Sequence, residues 1–141
     1  MSADSSRISR SSDFARTLDK GVRVSVRDMA VHILPVGSSW PDDDGARRDV
    51  ALVGGPWLGL IVSKKVGDAV TRHRLARRLR HAFAQVKAEI PEAETFVVLR
   101  AYPSVADRSS TELVALLRRA LRHRRVVERF GDAASHPAVT S

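Results

Sequence analysis

The sequence predicts a small α/β fold with elements in the order α-β-β-β-α-β-α. Three observations predict it. The segments Val22 to Leu34, Trp57 to Ser63 and Thr95 to Ala101 are rich in Val, Ile and Leu and bounded by turn residues, as strands are. From Ala69 to Ile90 the apolar residues return at helical spacing. That helix lies between two of the strands, and strand, helix, strand in that order implies a βαβ unit. At 141 residues and 43% hydrophobic content the chain suits one domain, residues 7–130, with a flexible start at 1–6 and a disordered tail at 131–141.

Ser11 or Ser12 can cap a first helix carrying Phe14 and Leu18 on one side, with Gly21 ending it. Val22 to Arg27 then alternates, and Met29 to Leu34 stays extended until Pro35. Gly37 to Arg48, with Trp40 and Asp42-Asp43-Asp44-Gly45, reads as a surface loop. Val50 to Val53 is a candidate partner for the strand at Trp57, across Gly54-Gly55-Pro56. Asp68 suits the N-cap of the long helix, and Pro91 stops it. Ser109 to Glu112 has the spacing of a capping box, opening a last helix with Leu113, Leu116, Leu117, Ala120 and Leu121 on one face.

The net charge of +8 is local. Residues 63–81 hold seven Lys/Arg against Asp68 alone, and residues 118–129 hold six Arg against Glu128 alone, so the remainder is slightly acidic. Concentrated basicity on an ordered element calls for a polyanion. On the long helix Leu75, Leu79, Ala82, Phe83 and Val86 share one side; His73, Arg77, Arg80 and His81 lie opposite, with Arg74 and Arg78 on the flank. A charge run is ordinarily a solvated helix face, but such faces interleave Glu, and none stands between Asp68 and Glu89. For Arg118 to Arg129 two readings stay open: contact with RNA, or favourable cations at a helix C-terminus.

Other chemistries find little support. With no Cys there is no disulfide, thiol nucleophile or Cys-ligated metal. No acid cluster has two-metal spacing on a predicted strand, and Asp42-Asp43-Asp44-Gly45 lacks the rest of a calcium loop. His32, His81 and His123 read as surface or packing residues, and Trp57 as core. The most apolar segment, Val50 to Val62, is broken by Gly and Pro, so no membrane span is expected.

The run Ser63-Lys64-Lys65-Val66-Gly67-Asp68-Ala69-Val70-Thr71-Arg72-His73-Arg74-Leu75-Ala76-Arg77-Arg78-Leu79-Arg80 resembles the signature of the protein subunit of bacterial ribonuclease P, Ser-Lys-Lys-x-Gly-Asn-Ala-Val-x-Arg-Asn-Arg-x-Lys-Arg-x-x-Arg. Ser12-Asp13-Phe14 followed by Gly21 also looks like that family's first helix and turn, and the likeness spans Arg7 to Arg125. Asp68 and His73 replace Asn, and Ala76 replaces Lys.

The resemblance implies an α/β (α+β) two-layer sandwich with a small mixed sheet, a left-handed βαβ crossover carrying the basic helix, and a role in tRNA 5′-end maturation as part of a ribonucleoprotein endonuclease. Lys64, Lys65, Arg72, His73, Arg74, Arg77, Arg78 and Arg80 would bind the catalytic RNA. A cleft with Phe14, Leu18 and His32, at positions where the family has aromatics, would hold the single-stranded 5′ leader of precursor tRNA. Catalysis would lie in the RNA, with Mg²⁺ held there and no cofactor on the protein alone; neither DNA nor membrane is an expected partner, and the compartment is the cytoplasm. The alternative is a structural RNA-binding protein such as a ribosomal component.

Overall fold

A computed structural model describes residues 7–8, 10–35 and 55–135. The first helix, α1, runs Ser11–Lys20; β1 (Val22–Val26) and β2 (Met29–Pro35) form a hairpin. β3 (Trp57–Val62), α2 (Ala69–Val86) and β4 (Thr95–Ala101) follow, then α3 (Ser110–Leu121) and α4 (Arg124–Ser135). The sheet order is β1-β2-β4-β3, with β3 parallel to β4 and the other pairs antiparallel. The expected βαβ unit is therefore β3–α2–β4, and its two strands are neighbours. The candidate strand Val50 to Val53, the loop with Trp40 and the acidic run at Asp42 lie outside the described residues.

Strand alternation divides the sheet's side chains into two faces. One face carries the register rows Val22–Ile33–Val97–Leu58, Val24–Val31–Leu99–Leu60 and Val26–Met29–Ala101–Val62. Against it pack Leu75, Leu79, Ala82, Phe83 and Val86 of α2, Leu113, Leu116, Leu117 and Ala120 of α3, and Val126 and Phe130 of α4. This is the main core. The opposite face is crossed by α1, which rests on β2 and β4. There Leu34, Trp57, Phe96 and Ile8 form a second apolar cluster, with the Trp57 and Phe96 rings 4.9 Å apart.

Two glycines are fixed by close approach. A Cβ on Gly59 would come within 2.5 Å of the Phe14 ring, so the bare backbone of β3 is what lets α1 settle on the sheet. Gly21 does follow α1, but in extended backbone; it is needed because a Cβ would meet the Thr17 carbonyl at 2.6 Å. The residue in the N-cap position of α1 is Arg10, with no side-chain cap, rather than Ser11 or Ser12.

The C-terminal third departs from expectation in two ways. The last helix is two helices, broken at Arg122–His123, where the His123 ring Nδ1 accepts the Arg125 N–H at 3.1 Å and so starts α4. Helix also continues past Phe130 to Ser135, so residues 131–135 are not the start of a structureless tail. The reason is tertiary: Val126 and Phe130, one turn apart, are buried in the main core and hold the helix whose sequence beyond them shows no apolar repeat.

A polar network closes the end of the sandwich where the hairpin turns. Asp28 accepts from Ser104 Oγ at 2.7 Å and from Arg108 Nε at 2.6 Å, and its backbone carbonyl accepts the Tyr102 N–H. Arg108 also reaches Glu112, which completes the predicted capping box with Ser109. The Ser104 hydrogen bond, and then Arg108, hold the Asp28 carboxyl below its ordinary range despite burial.

Two outcomes check this packing. Leu79→Ala removes a fully buried side chain between α2 and the sheet and is expected to cost about 2–5 kcal/mol in denaturant unfolding. The depressed Asp28 contributes stability that is full above its ordinary value near 3.8 and is lost as pH falls through its lower folded value. Asp28→Asn should therefore lower stability at neutral pH, with the gap to wild type closing in strong acid; a gap independent of pH would contradict the network.

Candidate nucleic-acid interface

The site begins at the turn leading into α2. Residues Lys64–Val66 form one 3₁₀ turn capped by Ser63; Val66 is buried beneath it, and Lys64 and Lys65 stay exposed. Gly67 has φ of 157°, and a Cβ there would also meet Thr71 at 2.9 Å, so glycine is required. Asp68 then caps α2, accepting the Thr71 N–H at 2.8 Å. That bond, and beyond it Arg74 and Arg72, hold the Asp68 carboxyl low, so the cap remains an anion. The replacement of Asn by Asp therefore keeps the helix start.

Burial of the apolar stripe fixes the rotation of α2. His73, Arg74, Arg77, Arg80 and His81 are exposed. Arg72 is half-buried, and its Nε donates to the Gly67 carbonyl at 3.2 Å, which orients the guanidinium at the first turn. No acid interrupts this surface along the whole helix. Arginine forks on a rigid element suit phosphate oxygens, and an N-terminal turn favours bound anions over its own cations.

Arg78 does not belong to this surface. Its two terminal nitrogens donate to the carbonyls of Arg108 at 2.7 Å and Ala106 at 2.8 Å, so it braces the connection between β4 and α3. Position 78 flanks the buried stripe, near enough for a long side chain to reach neighbouring backbone. The later arginines divide similarly. Arg118 pairs with Glu89 at 2.8 Å, Arg125 donates to the Arg23 carbonyl at 2.7 Å, and Arg129 donates to the Lys20 carbonyl at 3.2 Å. At least these three act within the fold, tying α3 to the end of α2 and α4 to the link between α1 and β1.

The sheet face under α1 is graded. The row Leu34–Phe96–Trp57 is apolar; the next is Arg23–His32–Val98–Gly59, with the Phe14 ring over Gly59; the third is Ser25–Ala30–Arg100–Ile61. Phe14 and Leu18 are half-buried on α1 and border this face. His32 is only 5% exposed, and neither ring nitrogen has a hydrogen-bond partner among the described residues. Burial, and then Arg23 and Arg100, push its pKa down, so it is a neutral part of the floor and offers no stacking surface. Arg23, Arg100 and Ile61 are additions to the predicted site residues. Alternation along Phe96 to Ala101 puts Arg100 on this face, a signal that the sequence does carry.

Residues 3–125 match the Ribonuclease P family. The chain belongs to the ribonuclease P protein family. Among curated relatives, the ribonuclease P protein component of Nocardia farcinica is 43% identical over 123 residues, covering 82% of this chain and 78% of its own. That of Mycobacterium avium is 40% identical over 116 residues, covering 82% and 88%. The ribonuclease P protein of Staphylococcus aureus superposes with a TM-score of 0.59 at 25% identity, over 84% of this chain and 88% of that one. The Thermotoga maritima protein, at 19% identity and a TM-score of 0.61 over 82% and 94%, shares the fold. As a ribonuclease P protein the chain is the protein partner of the ribonuclease P RNA and serves tRNA 5′ processing in that ribonucleoprotein; a ribosomal role is set aside.

Neighbouring arginines of α2 should behave differently. Arg78→Ala removes two charge-assisted hydrogen bonds and is expected to cost about 2 kcal/mol or more of stability. Arg77→Ala should leave the melting temperature nearly unchanged and weaken binding of the RNA; thermal melts and RNA titrations of the two variants check the division.

Proposed function

We propose that the exposed cations of α2, with Lys64 and Lys65, hold the catalytic RNA, while the face bordered by Phe14 and Leu18 holds the 5′ leader of precursor tRNA. The observation that carries the first half is the acid-free face of α2, turned outward by the burial of Leu75, Leu79, Ala82, Phe83 and Val86. The second half rests on Phe14, a ring set on bare β3 backbone, with Arg100 and Ile61 in the half-exposed row beside it. A ring for stacking and cations for the backbone are what single-stranded RNA requires.

The reaction is hydrolysis of one phosphodiester, releasing the mature 5′ end of tRNA. The protein's part is to position two RNAs; bond-breaking groups and Mg²⁺ belong to the RNA subunit. Among the described residues no group of three or more His, Asp or Glu is placed to hold a metal ion. Cationic side chains near the RNA–substrate junction offset phosphate repulsion that would otherwise need more Mg²⁺. The ribonucleoprotein works in the cytoplasm. No helix among the described residues is long and apolar enough to cross a membrane.

Adding the protein to its RNA at low Mg²⁺ is expected to raise cleavage of precursor tRNA, and absence of any effect would sink the proposal. Replacing Arg72, Arg74 and Arg77 by Ala should weaken RNA affinity and reduce its salt slope by roughly 0.7 to 0.9 log units for each phosphate left without its cation. Phe14→Ala should weaken precursor tRNA by about 1–3 kcal/mol and leave mature tRNA unchanged; equal losses for both would place the leader elsewhere.

A further inference from the structure

Between α2 and the edge strand β3 runs an open groove of about 260 Å³, lined by Leu60 and Val62 of β3 and by Ala69, Arg72, His73, Ala76 and Arg80 of α2. The α2 residues form one stripe, three or four apart. Its middle is apolar: Ala76 stands beside Leu60 and Val62, where the family resemblance has lysine. Its ends are cationic: Arg72 and Arg80 lie four residues to either side of Ala76, about 6 Å each along the helix axis.

We propose that this groove takes one unstacked nucleobase of the catalytic RNA, with its flanking phosphates at Arg72 and Arg80. The inference rests on the reading of α2 as the face that holds that RNA. Phosphate alone fits the rim but not the apolar middle, and an apolar peptide fits the middle but not the rim. A nucleotide has both parts, a flat ring system for Leu60, Val62 and Ala76 and an anionic backbone for the arginines. Unpaired bases of RNA are the ones proteins take up in this way, stacked on an aromatic ring or a guanidinium plane, and His73 and Arg72 of the lining supply both. Arg72, oriented by its bond to the Gly67 carbonyl, is set at one end of the groove before RNA arrives. Lysine at position 76 would occupy the space; alanine leaves it open.

Ala76→Leu fills the groove without changing charge and with a good helix former. Titrated with the RNA subunit across a salt series, it is expected to raise Kd by about five- to a hundred-fold, the loss of one stacked base, with the salt slope unchanged. Ala76→Ser should bind as wild type. If Ala76→Leu binds normally while Arg77→Ala still weakens the complex, the groove proposal is overturned and the α2 interface stands. If neither variant changes binding, the interface reading itself fails. A loss seen only when precursor tRNA is present would assign the base to the substrate and overturn the assignment to the RNA subunit. Should Ala76→Leu lower thermal stability, Ala76→Cys serves instead, since the chain has no other cysteine. A bulky thiol adduct should then impair binding and a methyl-sized one should not; equal affinity of the two overturns the proposal.

Discussion

The cationic surface of α2 depends on how that helix is rolled against the sheet. Leu75, Leu79, Ala82, Phe83 and Val86 can be buried together in one rotation only, and in that rotation every exposed charged residue of the helix is a cation. Hydrophobic burial sets the orientation, and electrostatics follows from it. The start of the helix is fixed as well, by Gly67 in a conformation other residues resist and by the Asp68 cap. Lys64, Lys65 and Arg72 are thereby held in one surface although they come from a turn and a helix.

A second set of contacts keeps the platform behind that surface rigid. Arg78 grips two carbonyls of the β4–α3 connection, and Arg108 from the same connection binds Asp28 in the β1–β2 turn. Arg125 and Arg129 do the equivalent on the other side, reaching backbone at the α1–β1 link. The chain's arginines thus have two functions that composition cannot separate. Those that reach distant backbone carbonyls organise the fold, and those on the outward side of α2 form an exposed cationic surface.

This separation marks where the sequence was legible and where it was not. The core stripe of α2, the Asp68 cap, the Ser109–Glu112 capping box and the parallel β3–α2–β4 unit follow from short-range pattern and were all readable. Arg78 escapes such reading because its partners are about 30 residues away and are backbone atoms, which carry no residue-type signal. The break at His123 is hidden because neither Gly nor Pro marks it, and α4 persists through Gly131 because of tertiary burial at Val126 and Phe130. On the sheet face under α1, Phe14 is evident from resemblance, while Arg23 and Arg100 need the strand register that sets them beside His32 and Ala30.

The acid-free helix also has a consequence for the protein without RNA. Arg74, Arg77 and Arg80 share one stretch of helix with no acid among them, and like charges so placed repel one another. Salt screens that repulsion, while the same salt weakens the hold on RNA. Ionic strength therefore acts with opposite sign on the repulsion along α2 and on the assembly. The native fold reaches its full stability only inside the particle it helps to build, since RNA bound to the folded state alone stabilises that state by mass action.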